Sequence, residues 1–107
     1  MEKLIKDVLQ WSVDKGICEK ANLRTQWEKM SEEVEEVKEA IEIHAVNMSY
    51  KSAEELSLEI GDVMVTSIIL AQLHGIQPQD CLQMAYDKIS KRTGKMINGT
   101  FVKSEDL

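Results

Sequence analysis

The sequence predicts an all-α fold, a four-helix bundle-like protomer with a short C-terminal hairpin-like tail. Apolar residues recur at steps of three and four over most of the chain, which is the spacing of an amphipathic helix. One proline and five glycines among 107 residues are too few for the many turns of a sandwich or barrel. Since no repeat or linker interrupts the pattern, we expect one domain over residues 1–107.

The first two predicted helices cover residues 1 to about 16 and about 22 to about 46. The first carries Leu4 and Trp11 at helical spacing and ends near Gly16. The second carries a regular apolar seam, so it should pack along its length against other helices.

The third predicted helix begins with Ser52 as the N-cap of a capping box that includes Glu55. It ends at His74, where Gly75 is suited to terminate a helix. Its second half, residues 63–73, is apolar nearly all round, and a helix without a solvent face is buried on every side. We therefore expect this helix to be central and to lie in a homo-oligomer interface.

The last predicted helix runs from about residue 77 to about 92, with Pro78 in its first turn. Asn98 and Gly99 then stand between two short apolar runs, a pattern typical of a β-hairpin turn. The same region holds the only concentrated positive charge of the chain: Lys88, Lys91, Arg92 and Lys95.

Composition limits the partners and the location of the protein. The formal net charge of −6 argues against general nucleic-acid binding, which needs a basic surface. Cys18 and Cys81 form no CxxC motif, as expected for free thiols in a reducing cytosol. Residues 1–20 lack a signal-peptide core, and the apolar window 63–73 is too short to span a bilayer. We therefore expect a cytoplasmic protein with no nucleic-acid or membrane partner.

Two pairs of acids are candidates for a metal site. Glu33 and Glu36 lie three residues apart on the second predicted helix, and Glu59 and Asp62 have the same spacing on the third. Residues at this spacing share a helix face. If the two helices pack together, four carboxylates surround one small volume, and that density of charge is hard to tolerate without a hard divalent cation.

The same acids also fit roles that need no metal ion. The glutamates of the second helix are consistent with a solvated face, and a salt bridge would account for Glu59 and Asp62. These two acids, however, lie in an otherwise apolar helix, where an unpaired carboxylate is costly to bury. Oxygen-only donors favour Mg²⁺, with Mn²⁺ as a substitute, over zinc. A di-iron site would need Glu-x-x-His pairs, and neither His44 nor His74 follows an acid at that spacing.

A basic segment together with an acidic metal site would suit a polyphosphate, because the metal bridges phosphate oxygens and cationic side chains neutralise the rest. The alternative for the basic residues is solubility, with complementarity to a helix terminus. Trp11 and Trp27 have the shape to stack on a base, but both lie on apolar seams, where core packing is the simpler interpretation. Trp27 is kept as a candidate substrate contact.

These motifs resemble a known family. The run Glu32-Glu33-Val34-Glu35-Glu36, followed by Glu59-Ile60-Gly61-Asp62, is similar to the Glu-Glu-x-x-Glu and Glu-x-x-Asp signature of MazG-like proteins. These belong to the all-α nucleoside triphosphate pyrophosphohydrolase superfamily. The similarity extends from about residue 20 through the basic segment.

The resemblance implies an Mg²⁺-dependent hydrolase of nucleoside or deoxynucleoside triphosphates. Such an enzyme cleaves between the α and β phosphates, releasing monophosphate and pyrophosphate, and serves in nucleotide-pool housekeeping. The resemblance also implies a homodimer or a dimer of dimers.

The resemblance further implies roles for individual residues. The implied Mg²⁺ ligands are Glu33, Glu36, Glu59 and Asp62. Glu32 would have an outer-shell or water-orienting role, because the helical projection turns it away from the seam. The implied phosphate contacts are Lys88, Arg92, Lys95 and Asn98.

One rival interpretation is a non-enzymatic helical interaction module, which oligomerises and binds a basic partner through its acidic second helix. The two interpretations differ over Glu59 and Asp62. A binding module has no use for acids within an apolar helix, so neutralising them should be harmless or stabilising there.

Overall fold

A computed structural model describes all residues, 1–107, and confirms the all-α prediction. The helices are α1 (Glu2–Asp14), α2 (Ile17–Lys20), α3 (Leu23–Asn47), α4 (Tyr50–His74) and α5 (Pro78–Ile89). The tail contains two antiparallel strands, β1 (Gly94–Ile97) and β2 (Thr100–Lys103), and a 3₁₀ turn at Ser104–Asp106.

Helix α3 begins within a residue of its predicted position because its N-cap is encoded locally. The Asn22 side chain accepts a hydrogen bond from the Thr25 amide at 2.9 Å, and the Thr25 hydroxyl accepts one from the Asn22 amide at 3.0 Å. This reciprocal pair satisfies two amides that the helix itself leaves without partners. The helix is followed by Met48 in the left-handed conformation.

The predicted start of α4 was wrong by several residues. The capping box is formed by Ser49 and Ser52, not by Ser52 and Glu55. The Ser49 hydroxyl accepts a bond from the Ser52 amide at 3.0 Å, and the Ser52 hydroxyl accepts one from the Ser49 amide at 3.1 Å. A serine in the first turn thus makes the reciprocal bond that the prediction gave to glutamate. Gly75 terminates the helix with φ of 85°, as predicted.

The other helix boundaries show where periodicity is a weak guide. Helix α1 ends at Asp14, and Gly16 adopts φ of 76°, which separates it from the unpredicted α2. A four-residue helix is too short to show a periodic pattern. Helix α5 ends at Ile89 rather than near residue 92.

Helix α4 is the central element, as predicted. It forms a long hairpin with α3, joined by a connection of only Met48 and Ser49, and it is also contacted by α1, α2 and α5. Such a short connection makes α3 and α4 antiparallel neighbours. Acids on the facing sides of α3 and α4 are thereby brought together.

The isolated chain has a very small core. Ala40, Ile69 and Pro78 are its only buried apolar residues, and Trp11 and Trp27 remain 47% and 56% exposed. The chain therefore does not bury its tryptophans as their positions on the seams predicted.

Helix α4 is 25 residues long and contains an 18-residue window with a mean hydropathy of 1.5. By length and composition alone it would be able to cross a membrane, although the core helix of a soluble protein meets the same criterion. The helix, Tyr50–His74, is longer than the apolar window 63–73 considered in the sequence, because it also includes the acidic residues that precede the window.

The predicted hairpin is confirmed. Asn98 and Gly99 form its turn with φ of 49° and 82°, the pair of positive values that a type I′ turn requires. The strands pair in register from Gly94 with Lys103 to Ile97 with Thr100.

Candidate metal centre

Three acids converge where α3 packs against α4. Glu33 is buried on α3, while Glu59 is half-buried and Asp62 exposed on α4. One carboxylate oxygen from each lies within 4.8 Å of the other two. The helical spacing of Glu59 and Asp62 places both on the side of α4 that faces Glu33.

Two buried oxygens of this cluster have no partner within the chain. Glu33 Oε2 and Glu59 Oε2 are both buried and have no hydrogen-bond partner. A buried carboxylate oxygen without a partner is costly, and a bound cation would remove the cost. Three carboxylates on two helices therefore fit a hard divalent ion in both donor type and electrostatics.

Glu36 is a fourth acid at the edge of this cluster. Hydrogen bonding to Glu59, then hydrogen bonding to Glu33 and repulsion by its charge, raise the pKa of Glu36 to about 7. The cluster thus retains a proton near neutral pH when no cation balances its charge. Because metal ligands must be deprotonated, a cation binding here would displace this proton.

Three cavities adjoin the acids. A cavity of about 510 Å³ between α3 and α4 has acidic walls that include Glu36, Glu55 and Glu59. Another of about 350 Å³ lies between α1 and α4, against Trp11 and Asp62. The third, of about 210 Å³, is lined by residues of α1 to α4, including Trp11, Gln26, Glu33, Asp62 and Thr66.

The family model of the MazG nucleotide pyrophosphohydrolase domain matches residues 21–97. The chain belongs to the MazG family. The matched segment contains α3, α4, α5 and β1, and with them all four acids of the cluster. Comparison with curated proteins and with solved structures found no match.

Helices α1 and α2 precede the matched MazG segment, yet they help to build its surroundings. Trp11 and Ile17 line the 210 Å³ cavity together with residues of α3 and α4. The cavity beside the acids is thus completed by a part of the chain that the family match does not cover.

The basic residues predicted to bind phosphate lie outside the cavities at the acids of this MazG domain. Lys88 lies in the last turn of α5, and Arg92, Lys95 and Asn98 are exposed in the tail. Arg92 lines a separate, entirely polar cavity of about 340 Å³ with Lys91 and Lys103. Within one chain, the structure does not bring these residues to the acidic cluster.

Two further predicted residues lie at the edge of the site. Glu32 is exposed, as its projection indicated, and one of its oxygens lies 3.6 Å from Lys29 Nζ. Trp27 is exposed on α3 and lines none of the three cavities, whereas Trp11 lines two of them.

Lys29 is a site residue that was not predicted. Its Nζ lies 3.1 Å from Glu33 Oε1, and hydrogen bonding to and attraction by Glu33 raise the pKa of Lys29. Lys29 is four residues before Glu33, so the helical spacing was a signal that would have found it.

Gln26 and Thr66, both buried in the wall of the 210 Å³ cavity, were also missed. Thr66 lies one turn after Asp62 and is detectable by spacing. No sequence signal marks Gln26, because its burial depends on how α1 and α4 pack around it.

Proposed function

We propose that this protein is an Mg²⁺-dependent nucleotide pyrophosphohydrolase acting on nucleoside or deoxynucleoside triphosphates. The observation that carries the proposal is the cluster of Glu33, Glu59 and Asp62, with its two unpartnered buried oxygens, in a chain of the MazG nucleotide pyrophosphohydrolase family. In the proposed reaction, water attacks phosphorus and the bond between the α and β phosphates breaks. Monophosphate and pyrophosphate leave as products, a reaction suited to nucleotide-pool housekeeping.

The proposed metal ligands are Glu33, Glu36, Glu59 and Asp62, with Mn²⁺ as a substitute for Mg²⁺. When bound, the ion acts as a Lewis acid toward phosphate oxygens and lowers the pKa of bound water. Glu32 is proposed to orient water from outside the ligand set, since its carboxylate lies beyond the cluster next to Lys29.

Lys88, Arg92, Lys95 and Asn98 are proposed to contact the phosphates. Because one chain holds them apart from the acids, we propose that a second copy of the chain supplies them. The protein would then act as a homodimer or a dimer of dimers, and the site would be incomplete in a monomer.

The surface of the chain supports a homo-oligomer. Its accessible surface is 8332 Å², whereas a folded monomer of 12.2 kDa exposes about 6,100 Å². Its radius of gyration is 16.6 Å, against about 13 Å for a compact domain of this length. Large apolar side chains such as Ile60 and Met64 on α4 lie in this excess surface. We propose that a partner copy of the chain covers these side chains. Each chain is proposed to form a single domain. The protein is proposed to be cytoplasmic and to bind neither nucleic acid nor a membrane.

Pyrophosphate release from a panel of ribo- and deoxynucleoside triphosphates, with Mg²⁺ or with EDTA, tests the activity. We expect equal amounts of monophosphate and pyrophosphate in Mg²⁺ and none in EDTA. Glu59→Gln and Asp62→Asn should abolish release while the fold is retained. Glu54→Gln, an exposed acid on the same helix outside the three cavities, is the matched control and should keep activity. Activity that survives both Glu59→Gln and Asp62→Asn would rule out the proposal.

The interaction module remains distinguishable in the same experiment. If a folded oligomer releases no pyrophosphate from any nucleotide and binds no Mg²⁺, the result would favour the interaction module. If the oligomer binds Mg²⁺ but releases no pyrophosphate, the result would instead indicate a different phosphorylated substrate.

A further inference from the structure

One face of the α3–α4 hairpin is apolar and not covered by the rest of the chain. Apolar residues of α3 recur at steps of four and three, and we call them the α3 seam: Leu23, Trp27, Met30, Val34, Val37 and Ile41. This spacing keeps residues on a single stripe of a helix. Within one chain Leu23, Trp27, Val34 and Ile41 are all between 47% and 56% exposed.

The α3 seam points away from the acids. Val34 lies two residues before Glu36, and Ile41 lies two residues before Ile43. Glu36 and Ile43 both line the acidic cavity of about 510 Å³ between α3 and α4. At about 100° per residue, positions two residues apart point to nearly opposite sides of a helix. The seam therefore occupies the side of α3 away from that cavity.

Helix α4 continues the same uncovered face. Ile60 and Met64 lie two residues before and two after Asp62, which lines the 350 Å³ cavity against α1. By the same projection, both point away from α1. Helices α1 and α2 lie on the acidic side of the hairpin, where Trp11 and Ile17 share a cavity with Glu33. Since α3 packs extensively only with α4, the opposite face has no covering element.

Area, spacing and charge all favour a second copy of the chain as the partner on this face. The chain exposes about 2,000 Å² more surface than a compact monomer of its mass, which matches a stable, largely apolar subunit interface. Steps of four and three are the spacing by which helices pack in four-helix bundles, and two hairpins supply four helices. In a chain of net charge −6, a face without acids in its apolar stripe is also where two copies repel each other least.

We infer that two copies associate through this face, so that their α3–α4 hairpins form one four-helix bundle with both metal centres on its outside. The inference rests on the homo-oligomer of the proposed function and not on the hydrolytic activity. Trp27 then packs against the partner copy and is not a substrate contact. The contact by which another copy brings basic residues to the acids is separate, and a dimer of dimers contains both contacts.

Two isoleucines of α3 provide a matched test. Ile41 and Ile43 are 52% and 49% exposed in one chain, but Ile41 belongs to the α3 seam and Ile43 to the acidic side. Ile41→Glu places an unpaired charge in the inferred interface of both copies, so the sedimenting mass should fall to about half of the wild-type value. Ile43→Glu should sediment as the wild type does, and circular dichroism checks that both variants remain helical.

Trp27 provides a second test that leaves the α3 seam intact. In Trp11→Phe, Trp27 is the only tryptophan of the chain. In the assembled protein, acrylamide should quench its fluorescence several-fold less than that of free tryptophan. A Trp27 that stays 56% exposed, as it is in one chain, would be quenched strongly.

Each outcome has a separate meaning. Equal masses for Ile41→Glu and Ile43→Glu, or strong quenching of Trp27 in an oligomer, would overturn the inference and leave the proposed activity intact. Strong quenching would do so even if Ile41→Glu failed to fold. A wild type that is monomeric at micromolar concentration would overturn both the inference and the proposed oligomer. Absence of pyrophosphate release together with the expected masses would overturn the proposed activity alone.

Discussion

At the residue scale, the acidic cluster shows how the chain keeps several carboxylates close together without a cation. Lys29 pairs with Glu33, and a proton is retained on Glu36. Helical spacing was sufficient to predict that the acids share a site, because Glu33, Glu59 and Asp62 lie on facing sides of two long helices. The protonation of Glu36 was not predictable, since it depends on carboxylate separations that only the packed structure defines.

The raised pKa of Glu36 makes metal-free stability depend on pH. The carboxyl binds a proton more tightly in the folded protein, with a pKa of about 7, than at its ordinary value of 4.5. The folded state therefore holds more protons between these values, and the free energy of unfolding should fall as pH rises from about 4.5 to about 7. Urea unfolding in EDTA across this range measures the effect.

Glu36→Gln is the control for this pH dependence. The glutamine side chain cannot ionise, so the free energy of unfolding of this variant should depend less on pH over the same range. Saturating Mg²⁺ should raise the stability of the wild type most at the upper end, where no proton has to be displaced. If the free energy of unfolding depends on pH equally in the wild type and in Glu36→Gln, the raised pKa does not belong to Glu36.

Lys29 compensates the charge of Glu33 when no metal is bound. Lys29→Met should destabilise the metal-free protein by about 1 kcal/mol or less, because the lysine is more than half exposed and its interaction is screened by solvent. The difference should shrink in saturating Mg²⁺, which then balances the Glu33 carboxylate. Urea unfolding of both proteins with and without Mg²⁺ provides the measurement. If Lys29→Met loses the same stability with and without Mg²⁺, Lys29 does not compensate the charge of Glu33.

At the element scale, several features with local signals were predicted, whereas a feature that depends on packing was not. The end of α4 at Gly75 and the Asn98-Gly99 turn follow from short-range chemistry, whereas the N-cap predicted at Ser52 is at Ser49 instead. The 210 Å³ cavity had no such signal, because it forms only where α1 and α2 pack against the α3–α4 hairpin. The helical spacing therefore predicted the acids of the candidate metal centre but not the adjoining pocket.

Gly94 at the start of β1 tests whether the hairpin takes part in substrate binding. A Cβ at this position would overlap the Val102 carbonyl and the Phe101 ring, so Gly94→Ala should force the two strands apart. Since the strands pair mainly with each other and the 3₁₀ turn, global thermal stability should change little. Amide exchange in residues 94–103 should become faster, and KM for nucleotide should rise if Lys95 and Asn98 contact phosphate.

Gly99→Ala is a comparison at the same hairpin. No atom lies near its added Cβ, but its positive φ is unfavourable for alanine. Both variants should open the hairpin. Faster amide exchange in the hairpin without any change in KM would show that the tail does not take part in substrate binding.

At the scale of the whole molecule, the chain exposes about 2,000 Å² more surface than a compact monomer of its mass. This excess is the amount that a stable, largely apolar subunit interface buries. The all-round apolar second half of α4 predicts a partner subunit on this helix, and the subunit interface stays a prediction.

A charge in the exposed apolar surface of α4 should disrupt the proposed oligomer. Met64→Glu should shift the protein toward monomers, because an interface related by twofold symmetry would receive the unpaired charge from both subunits. Ser57→Glu, on an exposed polar position of α4, is the matched control and should leave the assembly unchanged. Analytical ultracentrifugation distinguishes the species, and a monomeric wild type at micromolar concentration would contradict the oligomer.

The small core has a consequence for how the melting temperature behaves. With only Ala40, Ile69 and Pro78 buried and apolar, one chain gains little hydrophobic stabilisation by folding alone. Folding and association of the proposed oligomer would then be a single coupled equilibrium, governed by mass action. Its melting temperature would rise with protein concentration, and dilution alone would unfold it.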